Sequence, residues 1–97
     1  ILSGDQCMTV FKDVSKEAAA ASELAIDLVN GDTAAANALA TGTLHDPTGN
    51  RDIPSVLLTP ESITLKNIND VVTAGAVTAA DLCKGYTKQC ASAGVTG

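Results

Sequence analysis

Residues 7–31 read CMTVFKDVSKEAAAASELAIDLVNG, and the fold of this chain turns on them. Cys7-Met8-Thr9-Val10-Phe11 is a short apolar, β-branched run that predicts a buried strand ending at Lys12-Asp13. Beyond it, Ala18, Ala21, Leu24, Ala25, Leu28 and Val29 recur at three- and four-residue steps, the pattern of an amphipathic helix of about four turns. Ser15 is the candidate N-cap, Glu17 places a negative charge in the first turn, and Gly31 after Asn30 is the candidate C′ residue. Lys16, Glu23 and Asp27 fall on or near the polar side.

Working outward, Thr33–Leu39 is long enough for one short helical turn, and Thr41–Leu44 predicts a short strand leading into an exposed loop. His45-Asp46-Pro47-Thr48-Gly49-Asn50 is dense in turn formers. Ser55-Val56-Leu57-Leu58 predicts a second strand, bounded by Pro54 and Pro60, with Ile63 and Leu65 continuing an extended path. A second helix is expected from Lys66-Asn67 through Ile68, Val71 and Val72 to Gly75, a further helical piece from Thr78, and a frayed tail over 91–97. Alternating strand, helix, strand, helix argues for α/β, a piece of an open sheet whose strands need partners elsewhere.

Composition agrees with a module short of its own core. The 97 residues are 45% hydrophobic but only 2% aromatic, so Ala, Val, Leu and Ile carry the apolar fraction and bury little area each. Six Lys and Arg against eleven Asp and Glu give a net charge of −5, and the cations Lys12, Lys16, Arg51, Lys66, Lys84 and Lys88 are scattered. A phosphate backbone needs a clustered basic footprint, so nucleic acid is not an expected partner. The start ILSGDQC lacks a charged region followed by an apolar one, so a targeting segment is expected either to have been removed or to lie upstream.

Cys83 and Cys90 stand apart from Cys7 as a close pair. Residues seven apart on one unbroken helix lie roughly 10 Å apart, too far for a disulfide, but Gly85 offers a break. Two readings stay open here: a bonded pair that leaves one thiol over, or two reduced, buried small side chains. Two of these cysteines with the lone His45 make no four-ligand zinc set. None of the carboxylates is set apart by spacing from a solvated helix face, His45 lies in a turn-rich loop, and Cys7 in an apolar strand reads as an inert buried side chain. No enzyme and no cofactor are therefore expected.

The wording of several segments is familiar. Gln6-Cys7-Met8-Thr9-Val10-Phe11-Lys12, the Ala-rich helix ending Asn30-Gly31, Ile53-Pro54-Ser55-Val56-Leu57-Leu58-Thr59-Pro60 and Lys66-Asn67-Ile68 together resemble the C-terminal part of the D-xylose-binding proteins of bacterial ABC sugar importers. The resemblance runs from about Ile1 to Leu82, and the Cys83–Cys90 tail looks like an extension found in some secreted members. It implies part of a two-lobe periplasmic-binding-protein type I fold, completed by the remainder of the binding protein or by another copy of this chain. Residues 7–12 and 55–63 would be hinge crossings, about 13–54 part of the N-terminal lobe and about 64–97 part of the C-terminal lobe.

By the same resemblance the protein is extracytoplasmic (secreted, periplasmic or lipid-anchored), holds a monosaccharide such as D-xylose between its lobes and docks on an ABC permease. Lys12 is the one ligand contact it carries over, from the lysine of the family's TV[YF]K motif. An ammonium offers three donors to sugar oxygens, although an isolated strand-end lysine is by default solvated. Phe11 stands where close relatives more often have Tyr, Cys7 where Thr is common, and the 45–53 loop is longer than the family pattern. The alternative from another class is a free-standing fragment or self-associating interaction module with no sugar binding of its own, its sheet edges and Ala-rich helix covered by another copy.

Overall fold

The computed structural model describes all of residues 1–97. In chain order the elements are β1 (Thr9–Phe11), α1 (Val14–Val29), α2 (Thr33–Ala38), β2 (Gly42–Asp46), β3 (Arg51–Ser55), β4 (Glu61–Ile63), α3 (Asp70–Thr73), α4 (Ala79–Leu82) and α5 (Thr87–Ser92). The chain is thus of mixed helix and strand. It divides into two compact units, one of Ile1–Asp13 with Pro60–Gly97, the other of Val14–Thr59. No helix is long and apolar enough to cross a membrane.

The first unit is built on the antiparallel pair β1–β4, in the register Thr9↔Ile63, Val10↔Ser62, Phe11↔Glu61. Ile63, 1% exposed, is with Ile68 and Cys90 one of the three fully buried side chains of this unit, whose helices α3, α4 and α5 are short pieces. The strand predicted over 7–11 is shorter than expected and is not buried: Cys7, Thr9 and Val10 are exposed and only Phe11 is half-buried. A two-stranded ribbon has two faces, and the apolar cover here reaches only one of them. The helix predicted from Lys66 begins only at Asp70. The tail predicted to fray is instead packed. The Thr96 amide donates to Asn69 Oδ1 at 2.9 Å, and a Cβ on Gly97 would meet Ala79 Cβ at 3.0 Å and Val72 Cγ1 at 3.2 Å.

In the second unit α1 starts at Val14, which puts Asp13 rather than Ser15 immediately before the first helical residue. It ends as the sequence indicates, at Gly31, whose φ of 76° is a left-handed conformation that glycine adopts without a Cβ clash. The Gly31 amide donates to Leu28 O and the Asp32 amide to Asp27 O, closing the last turn. Asp32 then caps α2, its Oδ1 accepting from the Ala35 amide at 2.9 Å.

β2 and β3 form an antiparallel hairpin with Asp46 opposite Arg51 and Gly42 opposite Ser55. The strand predicted over 55–58 therefore ends where it was expected to begin. The turn decides this: the Thr48 amide donates to Asp46 Oδ1 at 3.0 Å, and Asn50 takes a φ of 45°. Pairing runs back from that turn and is exhausted at Gly42. Beyond it the Thr41 hydroxyl stands in for a strand partner, accepting from the Leu57 amide at 2.7 Å and donating to the Leu57 carbonyl at 3.0 Å. Each sheet is one antiparallel pair, where a piece of a larger open sheet was expected.

Burial is uneven. Ala36 is the one apolar residue of the second unit that is fully buried, whereas Val14, Ile26, Leu28, Val29, Leu44, Ile53, Leu57 and Leu58 are all exposed. Within α1, Ala20, Leu24 and Asp27 are half-buried along one face, and the apolar residues of the adjoining face stand open.

Candidate functional site

Lys12 is placed by the β1–β4 ladder. Phe11 opposite Glu61 is the last pair of that ladder, and Lys12 follows as an exposed residue with no further strand partner. The chain leaves the first unit after Asp13 and re-enters it at Pro60, next to Glu61. Both crossings between the units thus depart from the same end of one ladder, and Lys12 stands beside them. Its ammonium can donate three hydrogen bonds and accept none, which suits hydroxyl and ring oxygens.

The segment returning from Pro60 is fixed by a residue whose role sequence reasoning missed. Asn67 Oδ1 accepts from the Thr64 amide at 2.8 Å and from the Thr64 hydroxyl at 3.0 Å. Its Nδ2 donates to Ser62 O at 3.1 Å and to Glu61 Oε1 at 3.2 Å. One half-buried amide therefore ties β4 to the turn that follows, and this turn delays the start of α3. The signal available in the sequence was Thr64 three residues before Asn67, a spacing that favours a local side-chain turn over a helix start.

Cys83 and Cys90 are joined by a disulfide with Cα atoms 5.8 Å apart, and Gly85 between them has a φ of 81°. Cys7 is free and exposed rather than buried in a strand. His45 lies within β2, not in a loop, and its Nδ1 is 2.9 Å from Oδ1 of Asp52, its cross-strand partner. Both side chains are more than half exposed, so the pair contributes on the order of 0–1 kcal/mol. The structure does not gather Lys12, His45 and the cysteines into one site: Lys12 follows β1, His45 lies on the hairpin, and the disulfide joins α4 to α5. No group of three or more His, Cys, Asp and Glu side chains is arranged to hold a metal ion.

Each unit carries an open groove. That of the first, about 410 Å³, has Ile63, Ile68, Val71 and Leu82 as its floor, with Gln6 and Tyr86 among its walls. That of the second, about 530 Å³, runs along Ala20, Ala21 and Leu24 of α1 against Val56, Leu57 and Leu58. Both are apolar and shallow, and Lys12 lines neither.

With this geometry in hand, comparison with known proteins gives a consistent result. Seventy-two residues, 74% of this chain, are 40% identical to the D-xylose-binding periplasmic protein of Escherichia coli, of which they cover 20%. The same length is 35% identical to the D-xylose-binding periplasmic protein of Haemophilus influenzae, again over 20% of that protein. The chain therefore contains a segment related to D-xylose-binding periplasmic proteins, and it spans about a fifth of the length of the curated relatives it matches. Both relatives are named as binding proteins and neither as an enzyme. No family model matches the chain, and no solved structure matches it.

Proposed function

We propose that this chain is part of an extracytoplasmic sugar-binding protein of the D-xylose type, which delivers a monosaccharide to an ABC importer. The observation that carries the reading is the 72-residue likeness to two proteins of that name. In this reading about 13–54 belongs to the N-terminal lobe and about 64–97 to the C-terminal lobe, 7–12 and 55–63 are hinge crossings, and the exposed apolar side chains of α1 are covered by protein beyond this chain.

Sugar bridging the two lobes favours a closed form by its greater affinity for that form, and the closed form docks on the permease. Lys12, next to the crossings, donates to sugar hydroxyls at the floor of the cleft. There the exclusion of water strengthens each hydrogen bond and raises the cost of leaving one unmade. Replacing Lys12 by Ala in the protein that carries this chain weakens D-xylose binding by about 1–3 kcal/mol, roughly 5- to 150-fold. Isothermal titration checks this, and an unchanged Kd would remove Lys12 from the site.

A second reading, a self-associating module, draws on the same exposed apolar residues, Val29 at 87% exposure above all. It requires that the 97 residues alone form a stable oligomer, which sedimentation of the isolated chain decides.

A further inference from the structure

The C-terminal fourteen residues lie on the first unit as a strap. Its helix α5 has six residues and the preceding α4 only four, both far below the length at which a helix is stable by itself. Yet the strap is anchored at several points. Cys90 is 3% exposed, one of the few fully buried side chains of the chain. The Val95 amide donates to Cys90 O at 3.0 Å and the Thr96 amide to Asn69 Oδ1 at 2.9 Å, and Gly97 closes against Val72 and Ala79. The strap also furnishes walls: Tyr86 to the groove over Ile63 and Ile68, and Lys88, Gln89, Ser92 and Ala93 to a second groove of about 580 Å³ that includes Leu65.

Beside these non-covalent anchors stands one covalent link. The disulfide joins α4 to α5 across seven residues and brings Cys90 into the core. Without it, a helix of fewer than two turns would have to hold itself on the unit with one buried side chain and a few exposed hydrogen bonds.

We propose that the Cys83–Cys90 disulfide is a redox lock on this strap, so that residues 84–97 dock when the pair is oxidised and detach when it is reduced. In the locking step the two thiols lose their protons, a sulfur–sulfur bond forms, and the two electrons pass to a disulfide oxidant that leaves as a dithiol. Resting on the extracytoplasmic reading above, this makes the unit complete only after the chain reaches an oxidising compartment. In a reducing one, the floor of Ile63 and Ile68 loses part of its cover.

The test is amide hydrogen exchange on the protein that carries this chain, in a Cys7→Ser background so that the exposed thiol cannot exchange with the bridge. Closing a loop of this length by a cross-link favours the docked strap by roughly 50-fold. Dithiothreitol, or the double substitution Cys83→Ala and Cys90→Ala, is expected to lower protection of the Cys90, Val95 and Thr96 amides by about that factor. Protection in the β1–β4 ladder stays within about threefold. Equal protection of the strap in both redox states overturns the proposal, and so does parallel loss from strap and ladder, which would mean a global rather than a local role. A protein that shows the redox dependence but binds no sugar would refute the functional reading and leave the lock standing.

Discussion

Replacing Ile26 and Val29 by Ala has different consequences in the isolated chain and in the longer protein to which we assign it. In this structure Ile26 is 60% exposed and Val29 87% exposed, so within the 97 residues a minor part of Ile26 and little of Val29 is buried. Alanine is the better helix former by roughly 0.5 kcal/mol at each position, because β-branched side chains lose rotamer freedom against the preceding turn. In the isolated chain this gain of about 1 kcal/mol is offset by a similar loss from the buried part of the two side chains, at about 0.8 kcal/mol per buried carbon, so its stability in urea denaturation should change by less than about 0.5 kcal/mol. If protein outside this chain covers α1, the same substitutions delete methyl and methylene groups from a buried interface. At about 0.8 kcal/mol per buried carbon, scaled by the exposure each residue shows here, the loss is roughly 1.5 kcal/mol per site. With the loss inside the chain and the propensity gain roughly cancelling, the longer protein should be destabilised by about 3 kcal/mol in urea denaturation. Destabilisation of both proteins, or of neither, would refute the claim that this face is covered from outside.

Two further substitutions test the local architecture. Asn67→Ala removes the amide that bridges Glu61, Ser62 and Thr64, and should cost about 1–3 kcal/mol in urea denaturation; a change below about 0.5 kcal/mol would mean that water replaces it. Gly49→Ala puts a methyl 2.6 Å from Asp46 Oδ2, whose partner oxygen anchors the hairpin turn, and should cost roughly 1–2 kcal/mol with loss of the Thr48 amide's protection in hydrogen exchange. An unperturbed Thr48 amide would show that the turn rearranges freely.

Much of the order of elements was legible in the sequence, and the reasons are local. The helix over 14–29 announces itself by its apolar steps and by Gly31, and both act within a few residues. The misreadings share another cause: each concerned a choice made by a partner distant in sequence or by a single side-chain bond. Val56-Leu57-Leu58 has the composition of a strand, but the Asp46–Asn50 turn fixes the register so that pairing stops at Ser55. Lys66 to Asn69 has the composition of a helix start, but the Asn67 amide is engaged with Thr64 and β4. Residues 91–97 read as a loose tail because nothing local reveals that Thr96 meets Asn69.

Lys12 was singled out only through resemblance. By composition it is one of six scattered cations, and its place beside two chain crossings emerges once Phe11 is seen opposite Glu61. The exposed apolar faces were anticipated in kind, since a chain carried by Ala, Val, Leu and Ile has too little bulk to close its own core. Which residues they would be depended on packing that the sequence does not spell out.

The central claim, sugar binding by the protein that carries this chain, is tested most directly by native mass spectrometry with D-xylose, run side by side on that protein and on residues 1–97 alone. The account predicts one sugar bound to the longer protein and none to the 97-residue chain, to which it assigns only part of the site. A longer protein that takes up no sugar, or a 97-residue chain that binds it tightly, would contradict the account.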